Sequence, residues 1–231
     1  MKKIGLIVFI GALAIGVVLA SISSFGKISG KIFSFNIGGV HGSGAMKTET
    51  REVSGFTAID VSGAFEVEIV AQKDFSVEVE ADDNLLELIQ TEVDGDTLKI
   101  KSEKRLSTNN PLRVRISAPN IESLDLSGAS KVNIVNLNND SLSLDSSGAS
   151  KIKIEGVTKT FEVEMSGASK LDAENLKAEN VSIDSSGASN AYVYVTNELK
   201  ADLSGATNVT YSGSPKNVQK KTSGASSVKE K

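Results

Sequence analysis

One motif of eleven residues dominates the second half of this sequence, beginning with LDLSGASKVNI at residues 124–134. Its later copies are LDSSGASKIKI at 144–154, VEMSGASKLDA at 163–173, IDSSGASNAYV at 183–193 and ADLSGATNVTY at 201–211. The tripeptide Ser-Gly-Ala also occurs at 62–64 and 223–225. From Gly128 onward its glycines are 20, 19, 20, 18 and 19 residues apart, so the repeating unit has about 19 residues.

Each copy alternates apolar and polar residues on both sides of the glycine, which predicts two short strands joined at a corner. A unit of this length cannot bury its apolar side alone, whereas stacked units bury it in a shared interior. We therefore predict an all-β fold: a single-stranded parallel β-helix (β-solenoid), right-handed by the crossover rule, with one repeat per coil. A two-sheet sandwich is the open alternative, but it does not explain identical tripeptides at such regular intervals.

The repeated glycines are predicted to form the corners of the coils, because glycine adopts positive φ without steric cost. These structural corners are Gly63, Gly128, Gly148, Gly167, Gly187, Gly205 and Gly224. The serine column that follows them, Ser130, Ser150, Ser169 and Ser189 with Thr207, has neither a base nor a nucleophile-elbow motif beside it. We predict a structural hydrogen-bond ladder for that column.

Residues 47–231 are predicted to form the head domain, with opening coils and a cap at 47–120 and the repeat coils at 121–231. The segment AIDVSGAFEVEIV at 58–70 looks like the first coil. Asp82-Asp83 is predicted to cap a helical turn within 82–89, and Asp94-Gly95 to form a hairpin turn. A cap is expected because the end of a solenoid exposes apolar side chains and free strand edges.

The N-terminus has the pattern of an export signal. Two lysines precede an uncharged apolar run at residues 4–20, and small residues follow it. We predict that residues 1–23 form a leader helix, acting either as a signal peptide or as a membrane anchor. Residues 24–46 are predicted to form a flexible Gly- and Ser-rich linker that includes His41.

The composition excludes several classes of chemistry. The absence of cysteine excludes disulfides, thiolate catalysis and cysteine metal sites. A single histidine leaves no paired-histidine metal site, and a net charge of −4 provides no basic field for nucleic acid. We therefore predict no cofactor, no catalytic residue and no nucleic-acid partner.

Four segments together resemble the putative auto-transporter adhesin head GIN domain family. They are REVSGF at 51–56, IDVSGAFEVEI at 59–69, VEADDNLLELIQTEV at 79–93 and the serial SGAS copies. The resemblance covers residues 47–231. It implies a β-helical bacterial domain associated with the cell envelope, and it transfers no catalytic residues.

Two charged columns flank the predicted corner. An acid lies three residues before each glycine, and lysines lie three residues after it at Lys131, Lys151 and Lys170. The acidic column contains Asp60, Asp125, Asp145, Glu164, Asp184 and Asp202. A solvated, salt-bridged face is the simpler interpretation. The alternatives are a Ca²⁺ ladder of stacked carboxylates and a recognition surface for a glycan or protein, although no calcium-loop motif is present.

These observations predict an exported, non-enzymatic protein of the cell envelope whose solenoid serves adhesion or another surface interaction. The partner is expected to be a surface glycan or protein, with membrane contact only through the N-terminal segment. One alternative is a polysaccharide-active enzyme on the same scaffold, which requires a cleft with converging carboxylates or arginines. The arginines of the sequence are Arg51, Arg105, Arg113 and Arg115. The other is a self-assembling envelope scaffold, because the last coil ends at Lys231 with little room for a cap.

Overall fold

Parallel pairing between successive repeats builds the molecule. The computed structural model describes residues 39–231, of which 72% are in strands. The predicted leader helix at 1–23 and the part of the predicted linker before residue 39 lie outside the described residues. Within residues 39–231, no helix is both long and apolar enough to cross a membrane.

The chain forms seventeen strands and a single 3₁₀ turn, Leu86–Leu88, in the part that the structure describes. The strands are β1 (Val40–His41), β2 (Met46–Arg51), β3 (Ala58–Gly63), β4 (Glu66–Ala71), β5 (Ser76–Asp82), β6 (Ile89–Asp94), β7 (Thr97–Ser102), β8 (Leu106–Ser107), β9 (Arg113–Ala118), β10 (Ser123–Gly128), β11 (Lys131–Gly148), β12 (Lys151–Gly167), β13 (Lys170–Gly187), β14 (Asn190–Gly205), β15 (Asn208–Gly213), β16 (Asn217–Thr222) and β17 (Ser227–Glu230).

The repeats stack in register, so the prediction of an all-β solenoid is confirmed, and the solenoid has about five turns. The long strands β11, β12, β13 and β14 each follow nearly a whole coil and pair in parallel with the next. The corner glycines pair one above another from Gly63 through Gly128 to Gly205. Ala225, next to Gly224, continues the file by donating its N–H to the Gly205 carbonyl at 2.7 Å.

Apolar side chains fill the inside of the coils as columns. One column before the corner runs through Leu124, Leu144, Val163 and Ile183, and all four residues are at most 1% exposed. A second column after the corner contains Val132, Ile152 and Leu171. Each such burial contributes roughly 1.5–3 kcal/mol, so the stack acquires a core without a large globule.

The first coils do not follow chain order. Strands β3 and β4 form the coil that carries Gly63, and β10 and β11 lie on one side of it. On its other side lie β7 and β9, which come later in the chain than β3 and β4 and pair with them in parallel. The chain therefore leaves the first coil, builds the coil that precedes it in space, and then returns to continue the stack beyond it.

Antiparallel strands close this end of the solenoid. Strand β6 leads into β7 through a turn at Gly95, and the two strands pair antiparallel, as the predicted Asp94-Gly95 hairpin requires. Strand β5 runs antiparallel to β9, and β2 runs antiparallel to β5. These strands occupy the backbone donors and acceptors that the outermost parallel strands would otherwise leave unpaired, which is the function of a cap.

The predicted helix cap at Asp82-Asp83 is wrong. The 3₁₀ turn begins after Leu85 and has no side-chain cap. The buried Asp82 carboxylate instead accepts hydrogen bonds from Thr108 Oγ1 at 2.5 Å and Asn110 Nδ2 at 2.6 Å. These bonds hold the pKa of Asp82 below its usual value despite burial.

The last residues of the predicted linker lie against this cap. Strand β1 pairs in parallel with β8, and the Val40 N–H donates to the Arg105 carbonyl at 2.8 Å. The Ser43 N–H donates to Asn84 Oδ1 at 2.9 Å, and Asn84 Nδ2 donates to the His41 carbonyl at 2.8 Å. The chain is therefore attached to the solenoid before the head domain begins.

Glycine is needed at the corners because the coils approach each other closely there. A Cβ atom at Gly148 would overlap the backbone carbonyl of Gly128, and one at Gly187 would overlap that of Gly167. The Ala149 N–H donates to the same Gly128 carbonyl at 2.8 Å. The φ of Gly148 lies outside the left-handed region, so at this corner close approach alone excludes a side chain.

We predict that Gly148→Ala lowers the free energy of unfolding by about 1–3 kcal/mol, because the added methyl group must separate two hydrogen-bonded backbones. Urea unfolding followed by circular dichroism measures this change. The control is Ala149→Ser at the exposed neighbouring position, for which less than about 0.5 kcal/mol is expected. Equal stability of Gly148→Ala and the parent chain would contradict the close-approach explanation.

Candidate functional site

The corner separates two outward faces of the solenoid. We call the face before the corner the acidic face and the face after it the lysine face. The acidic face carries the outward side chains of β3, β10 and the ends of the long strands. The lysine face carries those of β4, the beginnings of the long strands and β15. On both faces each coil adds one residue to every file, and successive residues of a file are about 4.8 Å apart.

The predicted acidic column is one continuous file. Its members pair one above another in the order Asp60, Asp125, Asp145, Glu164, Asp184, Asp202. A lysine stands in register at each end, Lys99 beside Asp60 and Lys221 beside Asp202. The Lys221 ammonium lies 2.6 Å from the Asp202 carboxylate. The two ends of the file are therefore flanked by positive charge, while its middle is acidic.

The middle of the acidic file shows the effect of like charges. Partial burial raises the pKa of Asp125, and the carboxylates of Asp145 and Asp60 raise it further. Among residues 39–231, no three acidic or histidine side chains converge as metal ligands would. Binding of Ca²⁺ by the stacked carboxylates of the acidic file remains a prediction from the sequence.

The serine column lies inside the corner and is a structural ladder, which confirms its prediction. Ser130, Ser150, Ser169 and Ser189 are at most 3% exposed. The Ser189 hydroxyl accepts the Ser169 N–H at 3.2 Å and donates to the Gly167 carbonyl at 3.4 Å. Each hydroxyl thus satisfies backbone groups of the preceding coil, and none of them faces solvent as a nucleophile must.

The lysine face contains a groove of about 390 Å³ that crosses four strands. Its first wall is a file of outward side chains: Glu66, Lys131, Lys151 and Lys170. Its second wall lies two residues further along each strand: Glu68, Asn133, Lys153 and Asp172. The strands carrying Val67, Val132 and Ile152 form the floor. The groove therefore runs along the solenoid axis.

The second wall was not singled out from the sequence. The predicted lysine column marks only the first wall, and the residues two positions later change type from coil to coil. The alternation along each strand could have indicated this wall, because residues i and i+2 of a strand lie on the same face. Only the observed register shows that the unlike residues Asn133, Lys153 and Asp172 stand in one file.

Two of the four arginines neutralise the acidic end of the groove. Arg113 Nε lies 3.2 Å from Glu66 Oε2, and Arg115 Nε lies 3.6 Å from Glu68 Oε2. Both guanidinium groups also contact Glu80, at 3.4 and 2.9 Å. The other two lie elsewhere: Arg51 donates to the Leu86 carbonyl, and the Arg105 carbonyl accepts from Val40.

The tyrosines of the last coils occupy different environments. Tyr211 is 6% exposed, and burial raises the pKa of its hydroxyl. Tyr192 is partly exposed on the lysine face and continues the second wall beyond Asp172. The Lys170 ammonium lies 5.5 Å from the centroid of the Tyr192 ring, within the range of a cation–π contact. Tyr192 therefore stands one coil beyond Asp172, next to the end of the groove.

Comparison with known proteins identifies one family. The model described as "Putative auto-transporter adhesin, head GIN domain" matches residues 55–215, which confirms the resemblance found in the sequence. No curated protein sequence is detectably similar to the chain.

Solved structures share the fold. A putative adhesin from Bacteroides fragilis is 22% identical with a TM-score of 0.70, over 84% of this chain and 100% of that chain. A protein from Parabacteroides distasonis, called a putative lipid binding protein, is 18% identical with a TM-score of 0.50, over 83% of this chain and 99% of that chain. At these identities the likeness concerns the fold alone.

We predict that Ser189→Ala lowers the free energy of unfolding by about 1–3 kcal/mol, because it leaves the buried Ser169 N–H without an acceptor. Chemical denaturation provides the measurement. The matched control is Ser186→Ala on the exposed side of the same corner, which should be nearly neutral. Equal effects of the two changes would show that the ladder adds no stability.

We predict that Asp145→Asn lowers the pKa of Asp125, because it removes a neighbouring negative charge. That pKa stays above its usual value, since burial is the larger cause. A raised pKa in the folded state means that Asp125 favours folding more at acid pH, and this contribution is lost as pH rises through the folded pKa. Titration of the Asp125 carboxyl carbon by NMR tests the shift, and an unchanged pKa would contradict it.

Proposed function

The chain belongs to the putative auto-transporter adhesin, head GIN domain family, and from this membership we propose that it is an exported, non-enzymatic adhesion module of the bacterial cell envelope. Its lysine face is the proposed contact surface. The description of the family and the name of the Bacteroides fragilis protein, a putative adhesin, both support an adhesion-like role.

The observation that carries this proposal is the long groove on a rigid sheet face. Its walls are files of polar side chains fixed by the parallel register of consecutive coils. A surface whose contacts repeat at a fixed interval suits a partner that is itself extended and repetitive. The strands beneath it are held on both sides by neighbouring coils, so little ordering is needed when a partner binds.

The placement of the reactive side chains supports a non-enzymatic role. Glu66, Glu68 and Glu80 are engaged in ion pairs with Arg113 and Arg115 across a flat sheet. The repeated serines are buried and hydrogen-bonded to backbone groups. These carboxylates and hydroxyls therefore have structural partners.

The N-terminal sequence supports export. Two lysines followed by the apolar run at residues 4–20 are typical of a secretory signal or a membrane anchor. Either form would place the solenoid outside the cytoplasmic membrane, with membrane contact only through that segment. An adhesion module requires this location, so the export signal and the adhesin family support the same function.

Beads coated with the full chain are expected to adhere to surfaces carrying immobilised polysaccharides from bacterial envelopes, without releasing reducing sugar ends. Adhesion is measured as bead retention under flow, and turnover as the reducing ends in the supernatant. Beads coated with the irreversibly unfolded chain serve as the control.

Loss of retention on every surface would contradict adhesion. Release of reducing ends that disappears in Glu80→Gln would instead identify a polysaccharide-active enzyme, because Glu80 is the carboxylate that contacts both arginines of the sheet.

A further inference from the structure

The groove on the lysine face has an excess of positive charge in its middle. Lys151 and Lys170 have no carboxylate of residues 39–231 within 4.0 Å, and Lys131 reaches Glu66 only at 4.0 Å. Glu66 is itself paired with Arg113. Three ammonium groups one coil apart therefore repel one another and have little local compensation. An anionic partner would relieve this repulsion.

The second wall is mixed: the Lys153 ammonium is paired with Glu155 at 2.5 Å, and the other groups on this wall are uncharged or acidic. Asn133 is partly exposed on this wall, so its side-chain amide is available to hydroxyl groups of a ligand. Asp172 has no lysine or arginine of residues 39–231 within 4.0 Å, so its carboxylate is an acceptor for a hydroxyl donor. A ligand that matches both walls must carry regularly spaced negative charges along one side and hydroxyl groups along the other.

We propose that this groove binds a linear acidic polysaccharide, lying along the solenoid axis with its carboxylates on Lys131, Lys151 and Lys170. Its hydroxyl groups face Asn133 and Asp172. Four coils at about 4.8 Å provide a track of roughly 14 Å, enough for several successive contacts. This inference rests on the proposed adhesive function and names the chemical class that the groove recognises.

Two other anionic partners fit the groove less well. A polyphosphate chain carries charged oxygens on all sides and no hydroxyl groups along its length, so it would place negative groups against Asp172 on the second wall. A membrane surface would need apolar side chains to insert, and the exposed large apolar residues of the described chain, Met46, Phe75 and Val157, do not line the groove.

The test measures binding of the immobilised full chain to sodium polygalacturonate, with dextran, polyphosphate and phosphatidylglycerol vesicles as comparison probes. Binding to polygalacturonate is expected to be the tightest, to weaken with added salt, and to be absent for dextran. The triple change Lys131→Gln, Lys151→Gln and Lys170→Gln should reduce affinity by about tenfold or more.

The matched control changes three exposed lysines outside the groove, Lys73, Lys104 and Lys216, to Gln. It alters the net charge equally and should reduce affinity less than about twofold. Asn133→Ala should weaken polygalacturonate binding without changing its salt dependence, because it removes an uncharged contact. Thermal unfolding of each variant verifies that it is folded.

Three outcomes would overturn the inference: equal weakening by both triple changes, equal binding to dextran, or tighter binding to polyphosphate or vesicles. If beads coated with the chain adhere to envelope polysaccharides but the chain does not bind polygalacturonate, the acidic-glycan inference fails and the adhesive function stands. If both assays fail, both proposals fall.

Discussion

The structure depends on one contact, the approach of each corner glycine from Gly128 onward to the backbone carbonyl of the corner glycine in the preceding coil. At Gly148 this carbonyl occupies the space of a side chain and accepts the N–H of Ala149. The contact fixes the axial position of every coil relative to the last. All other columns inherit their register from it, because a slip of one residue would exchange the inward and outward faces of a strand.

Fixing the corner also determines which polar groups become buried. The serine that follows each corner points inward, where its hydroxyl satisfies the backbone of the preceding coil. Leaving such a buried backbone donor unpaired would cost more than a typical hydrogen bond contributes. The repeated Ser-Gly-Ala-Ser sequence thus has a structural explanation, and the side chains free for recognition are the outward ones on either side of it.

The two outward faces have opposite character although they share the same scaffold. The acidic file is continuous over six stacked residues and has a lysine in register at each end. The lysine face is heterogeneous: its charged first wall stands beside a second wall of amide, lysine and carboxylate groups, with Tyr192 at its end. That mixture of charge, hydrogen-bonding groups and a groove distinguishes the lysine face as the surface suited to a specific extended partner.

The sequence alone determined the repeat length, the glycine corners and the inward columns, because a period of about 19 residues encodes each of these in every copy. Three features were decided only by the tertiary structure. The coil built from β7 and β9 precedes the first coil in space. These two strands lie outside the periodic region, so no repeat indicates their position. The Asp82 carboxylate binds Thr108 and Asn110 rather than a helix terminus. At the acidic end of the groove, Arg113 is paired with Glu66, which lies 47 residues earlier in the chain. The repeated features can be predicted because each copy of the local pattern encodes them. Contacts between distant residues that do not repeat leave no such pattern, and they form only when the chain has folded.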